Sequence, residues 1–125
     1  FGNFDPCYIP SVDTIKMPLI TDFNSSESFY ATYFHELIHS TGHESRLKRG
    51  LSNLFFGKES YSKEELLAEM GASFLSSICN IESNFTISNS VSYINSWLEV
   101  LKNDKKMVIE ASSKAQKAVN FITGT

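Results

Sequence analysis

All three histidines of this 125-residue chain fall between positions 35 and 43. Two of them stand four residues apart in the run His35-Glu36-Leu37-Ile38-His39. On an α-helix, residues i and i+4 lie one turn apart on the same face, with Cβ atoms about 5–6 Å apart. Two imidazoles so placed can both reach one tetrahedral zinc ion at about 2.0–2.1 Å. Glu36 is rotated about 100° from His35 around the helix, so it stands beside such a metal and not on it. There it can take a proton from a water that the metal activates. Ser28, Ala31 and Thr32 precede the pair on the same face. Their small side chains leave room for a substrate or a neighbouring strand.

The flanking residues fit a helix at this place. Ser25 and Ser26 with Glu27 open it, and Tyr30, Phe34, Leu37, Ile38 and Thr41 recur at a 3.6-residue period. Gly42 is expected to stop it.

A catalytic zinc wants three protein ligands and one open position. The metzincin pattern needs a histidine six residues after His39, and Ser45 stands there, so that class is excluded. His43 follows His39 by four residues, but Gly42 lies between them and leaves its direction open. The second candidate source is Glu65-Leu-Leu-Ala-Glu69, which puts two carboxylates on one face of a later helix. Gluzincins take their third ligand as a Glu from a following helix, and a second acid there commonly orients a ligand histidine. By that logic Glu65 is the expected ligand and Glu69 the acid behind it, with Glu69 and His43 as the alternatives.

The rest of the chain reads as α+β and mostly helical. Residues 8–17 form two short extended pieces around a turn, between Pro10 and Pro18, suited to an edge position. Residues 43–61 are loop, with Leu51, Leu54, Phe55 and Phe56 free to pack. Ser62 and Glu65 form a capping-box pattern that opens the second helix. Its core stripe is Leu67, Met70, Phe74 and Ile78, and it ends near Asn80. Residues 84–90 read as a polar connection. A third helix puts Val91, Ile94, Trp97, Leu98 and Leu101 on one side, and Tyr93 and the ten phenylalanines are expected in the core with Trp97. Asp104 can cap a fourth, with Val108, Ala111, Ala115, Ala118, Val119 and Ile122 inward. The expectation is a single domain over residues 1–125 with a small N-terminal β-hairpin and about four helices.

Composition enters as a set of exclusions. No apolar run is long enough to span a membrane. The net charge of −3 does not suit the chain as a whole to a polyanion. The lysines at 102, 105, 106, 114 and 117 read as a solvated face. Cys7 and Cys79 lie far apart with no CxxC, as expected of reduced thiols in a cytoplasmic protein. The chain carries no signal-peptide pattern and does not begin with Met, so it reads as a piece of a longer protein.

Several blocks together resemble a known family. The run from Tyr30 to Leu47, with HELIH followed by Thr41-Gly-His43 and Arg46, is similar to the C-terminal metallopeptidase domain of ArdC-type antirestriction proteins of mobile elements. Tyr8–Pro18, Tyr61–Leu75, Tyr93–Leu98, the Asn-Asp-Lys at 103–105 and Ala115–Ala118 resemble further parts of it, so the resemblance covers residues 8–122. It implies a zincin-like fold and a zinc peptidase site acting on a peptide or protein substrate. It also implies a role in protecting incoming DNA from host restriction. Full-length relatives bind single-stranded DNA through another domain, and nothing here resembles that domain. Any DNA contact is therefore expected through a part absent from this chain.

Hydrolysis at such a site needs a group that stabilises the oxyanion. His43, Tyr61 and Arg46 are the candidates. The strand around Thr14–Met17 is expected either to pair with an extended substrate or to cover a sheet edge. The competing expectation for the whole chain is a zinc-stabilised binding module that holds its target without cutting it.

Overall fold

Between Pro6 and Pro18 the chain folds back on itself. Strand β1 (Cys7–Ile9) pairs antiparallel with β2 (Thr14–Lys16), with Tyr8 opposite Ile15. Pro10 lies in the turn between them, where its missing N–H costs no ladder bond. The structure, a computed structural model, describes residues 5–52 and 57–125. Leu54, Phe55 and Phe56, expected to pack from the loop, lie outside the described residues.

A short 3-10 turn (Ile20–Asp22) leads into helix α1 (Ser26–Ser40). Ser25 caps α1 by accepting from the Ser28 amide at 3.1 Å. Helices α2 (Lys58–Ile78), α3 (Asn84–Val100) and α4 (Lys105–Thr123) follow. The expected α+β, mostly helical architecture, with four helices and one small hairpin among the described residues, is the one observed.

Two helix starts differ from the sequence expectation. Helix α2 begins a full turn before Ser62, at an N-cap of Gly57 that offers no side-chain cap. Ser62 does not cap; its hydroxyl donates to the Lys58 carbonyl at 2.8 Å and is buried inside the helix. Residues 84–90 are not a connection but the first turns of α3. Ser83 and Thr86 satisfy each other's amides, Thr86 N to Ser83 Oγ at 3.2 Å and Ser83 N to Thr86 Oγ1 at 2.9 Å. That is a capping box with Thr in the place usually held by Glu or Gln.

Helix α2 is the axis of the fold. It packs against α1, α3 and α4, so its burial runs nearly all round and is not a single stripe. Leu66, Leu67, Ala68, Met70 and Leu75 join Ile38 of α1, Leu101 and four small residues of α4 in one core. Among the described residues, five expected core residues are exposed instead. Ile78 is 60% exposed at the free end of α2, Phe85, Val91 and Tyr93 are exposed on α3, and Phe121 is exposed on α4. The C-terminal half of α3, at Ile94, Trp97, Leu98 and the following Leu101, reaches the core; its N-terminal half flanks a cleft. At the crossing of α1 and α2, a Cβ on Gly71 would lie 2.7 Å from Ile38 Cδ1. That close approach sets the histidine face of α1 directly against the acidic face of α2. No helix among the described residues is long and apolar enough to cross a membrane.

Candidate metal centre

Three side chains from two helices converge at the crossing. His35 Nε2 lies 3.1 Å from Glu65 Oε2, His39 Nε2 lies 3.2 Å from Glu65 Oε1, and the two Nε2 atoms are 3.1 Å apart. Ligands at about 2.0–2.1 Å from a tetrahedral ion are separated by about 3.3 Å, so this triangle has the size of one tetrahedral face. His35, His39 and Glu65 therefore form a set able to hold a divalent metal.

The other ring nitrogens carry the same message. His35 Nδ1 lies 3.0 Å from Glu69 Oε1, and His39 Nδ1 lies 2.8 Å from Glu64 Oε2. A ring that donates Nδ1–H to a carboxylate presents a lone pair at Nε2. Two such lone pairs and the two oxygens of the Glu65 carboxylate face one another at 3.1–3.2 Å, an arrangement that repels itself unless a cation sits among them. Without a metal that cation is a proton. Burial works to lower the His35 pKa, but the Glu65 and Glu69 carboxylates outweigh it and hold it up to about 10. His39 is likewise lowered by burial but held up to about 9 by Glu64 and Glu65. Burial would raise Glu65, but the two histidines hold it down to about 2.

Glu69 thus lies against His35, and the acid against His39 is Glu64, a residue the sequence does not single out. Glu64 is clamped in turn by Arg49, Nε to Oε1 at 2.8 Å and Nη2 to Oε2 at 2.9 Å. The same guanidinium donates to Thr41 Oγ1 and to the Ile38 carbonyl, at 2.8 and 2.9 Å. Burial raises the Glu64 carboxyl, yet Arg49 and His39 keep it below its ordinary value. Gly42 makes room for this clamp, since a Cβ there would lie 2.9 Å from the Arg49 guanidinium carbon. The available sequence signals were the adjacent Glu64-Glu65 pair, which must point to different helix sectors, and a glycine beside an arginine-bearing loop.

Glu36 is 7% exposed, and its Oε2 has no hydrogen-bond partner among the described residues. Burial, with Glu65 and Glu69 nearby, raises its pKa against the opposing pull of the histidines. It opens onto a cleft of about 560 Å³ lined on the α1 side by Ser28, Ala31 and Thr32, the small residues expected there. A buried carboxylate oxygen left without a hydrogen-bond partner, beside a converging ligand set, is a group whose occurrence calls for an explanation.

The other sequence candidates divide. Tyr61 packs edge-on against Trp97 with ring centroids 5.7 Å apart. Its hydroxyl is pushed up by burial and by the Glu65 and Glu36 charges, but the residue is not among those lining the cleft. His43 is held locally, with Nδ1 accepting from the Ser45 amide at 3.1 Å and 2.8 Å from Ser45 Oγ, and it is not among the converging groups. Arg46 donates to the Ser40 carbonyl at 2.8 Å and pairs with Asp13, fastening the hairpin to the end of α1. Strand β2 does not line the cleft; from that region only Pro6 does.

The sequence profile of a family described as zincin-like metallopeptidase matches residues 2–114. A protein named DNA primase TraC from Escherichia coli is 38% identical over 115 residues, which is 92% of this chain and 11% of that protein. The y4eC protein of Sinorhizobium fredii is 33% identical over 124 residues, 97% of this chain and 39% of that protein. The chain therefore spans only a minor part of the curated relatives it matches. Among solved structures, the Mn(II)-bound crystal structure of the antirestriction protein ArdC from plasmid R388 superposes with a TM-score of 0.75. It is 38% identical and covers 96% of this chain and 44% of that one. The metal-free structure of the same protein gives a TM-score of 0.72 at 39% identity, covering 95% and 42%.

Proposed function

Because the chain belongs to the zincin-like metallopeptidase family that includes the ArdC antirestriction proteins, we propose that it is a zinc-dependent peptidase domain. Its substrate is a peptide or protein in the cytoplasm, and its role is within an antirestriction protein. The observation that carries this reading is Glu36, which lines the cleft beside the His35–His39–Glu65 triangle and keeps its buried Oε2 without a hydrogen-bond partner among the described residues.

His35, His39 and Glu65 would hold the metal. When bound, it would polarise a water molecule and the substrate carbonyl. Glu36 removes a proton from that water as the oxygen attacks the carbonyl carbon, and returns it to the amine nitrogen as the C–N bond breaks. A carboxylate whose pKa is raised by burial is better matched to both halves of that transfer. Glu69 and Glu64 fix the two imidazoles with Nε2 toward the metal. Of the three oxyanion candidates, the Tyr61 hydroxyl is the one supported by its place against Glu65 and Glu36.

The two-nitrogen, one-carboxylate donor set suits zinc. Mn(II), present in the R388 relative, binds such donors more weakly. Contact with DNA is assigned to parts of the longer protein outside this chain, whose net charge is −3.

The test is Glu36→Gln. The unmodified chain with zinc is expected to cleave members of a broad peptide library, and the variant to lose that cleavage while keeping its metal. An unmodified, fully zinc-loaded chain that cleaves nothing would favour the non-cutting binding module instead.

A further inference from the structure

One face of α3 is spent on the cleft and not on the core. Phe85, Asn89, Tyr93 and Trp97 follow one another at intervals of four along that wall. At about 1.5 Å per residue they span about 18 Å, the length of about five residues of extended chain. Phe85 and Tyr93 are 53% and 55% exposed. Two large aromatic side chains left half in water on the wall of a concave surface are surface kept for a ligand.

The charge of the cleft narrows what that ligand is. Asp22, Glu36, Glu65 and Glu69 line it, and no Lys or Arg does among the described residues. Residues 1–4 and 53–56 carry no charged side chain in the sequence. One divalent ion would leave these carboxylates in excess. Apart from the metal, the cleft therefore offers no Lys or Arg among the described residues to grip a terminal carboxylate, and it opposes acidic side chains and phosphates.

Resting on the peptidase reading above, we propose that this cleft is an endopeptidase groove. It accepts an internal, extended segment of about five residues with bulky apolar side chains and no acidic ones. Phe85 and Tyr93 set that preference. The small Ser28, Ala31 and Thr32 opposite them leave the width that such side chains need.

Trp97 is the only tryptophan in the chain and lines the cleft, so its fluorescence reports occupancy directly. The experiment uses the full chain carrying Glu36→Gln, loaded with zinc, which binds without turnover. Three hexapeptides are titrated: one with two adjacent Phe and blocked ends, its counterpart with two Glu, and the Phe peptide with a free C-terminal carboxylate. The blocked Phe peptide is expected to bind at least tenfold more tightly than the Glu peptide, and freeing the carboxylate to bring no gain. Phe85→Ser with Tyr93→Ser, both exposed and so tolerated by the fold, is expected to weaken the Phe peptide about tenfold without changing zinc affinity. Equal binding of the Phe and Glu peptides, tighter binding of the free carboxylate, or indifference to the double substitution would each overturn the proposal. Peptide binding with this preference, but no cleavage by the unmodified chain, would uphold the groove and defeat the peptidase reading. Cleavage that ignores Phe85 and Tyr93 would do the reverse.

Discussion

Replacing Glu64 by Gln separates what holds the fold from what aims the metal ligand. The side chains of Glu64 and Arg49 are 5% and 10% exposed, so their pair is shielded from water. Glu64 Oε2 serves both His39 Nδ1 and Arg49 Nη2, while Oε1 serves only Arg49 Nε. A Gln amide oxygen would keep the busier place and turn its NH2 group against Arg49 Nε, donor against donor. Breaking one partner of a buried pair costs about 3–5 kcal/mol of stability. Losing the charged acceptor behind a ligand histidine costs about 10- to 100-fold in metal affinity. Arg49→Met should cost similar stability by stranding the Glu64 charge. In the double variant no charge is stranded, so most of the stability should return, to within about 2 kcal/mol of the unmodified chain. Metal affinity should not return, because His39 still faces a neutral amide. Urea unfolding of the metal-free protein gives the first quantity, and competition with a chromophoric chelator gives the second. The reasoning fails if Glu64→Gln binds zinc as tightly as the unmodified chain. It fails equally if affinity recovers in step with stability in the double variant.

Three further outcomes follow from the same geometry. The histidines are raised above the ordinary 6.5, so without metal their contribution to stability is complete below about pH 6.5 and is lost as pH climbs through about 9 to 10. Glu65 is lowered, so its contribution is present above about 4.5 and lost as pH falls toward about 2. Metal-free melting temperature should therefore peak between about pH 4.5 and 6.5, and a maximum at pH 9 would contradict the cluster. Zinc must displace the protons that the metal-free cluster holds, so calorimetry at pH 7 in buffers of different ionisation enthalpy should register about two protons released per ion; no release would mean the histidines are not ligands. Gly71→Ala forces a methyl to within 2.7–2.8 Å of two Ile38 side-chain carbons. It should cost about 1–3 kcal/mol and weaken zinc binding by spreading α1 from α2, with unchanged affinity counting against the crossing as what sets the ligand distances.

The sequence made half of this site legible. His35, Glu36 and His39 are readable because their chemistry and spacing depend on one helix only. Glu65 is readable once a third ligand is required, because so few carboxylates fall on a later helix at the right spacing. Glu64 and Arg49 were invisible for a physical reason. An isolated Glu in a Lys-Glu-Glu run reads as solvated, and only the packing of a third layer turns it inward. Arg49 sits in a loop with no period to read. The start of α2 was misplaced because Ser62 satisfies its hydroxyl within the helix, which makes a buried residue look like a cap. The start of α3 was missed because Thr86 completes the capping box where Glu or Gln is the stronger signal.

The all-round burial of α2 explains why these misreadings fall where they do. A helix packed on one side shows its role as a stripe, with its polar residues left in water. Helix α2 meets α1, α3 and α4 at once, so every sector of it faces a partner. Its polar residues must then be matched within the protein. Glu65 and Glu69 meet His35, and Glu64 meets His39 and Arg49. The apolar residues between them close the core at Ile38, one residue from His39. Core and ligand set thus share the same turns of the same helix. A packing defect at Gly71 and a charge defect at Glu64 should therefore both be felt at the metal, whereas Lys117, on the exposed face of α4, should tolerate substitution with no effect on metal affinity.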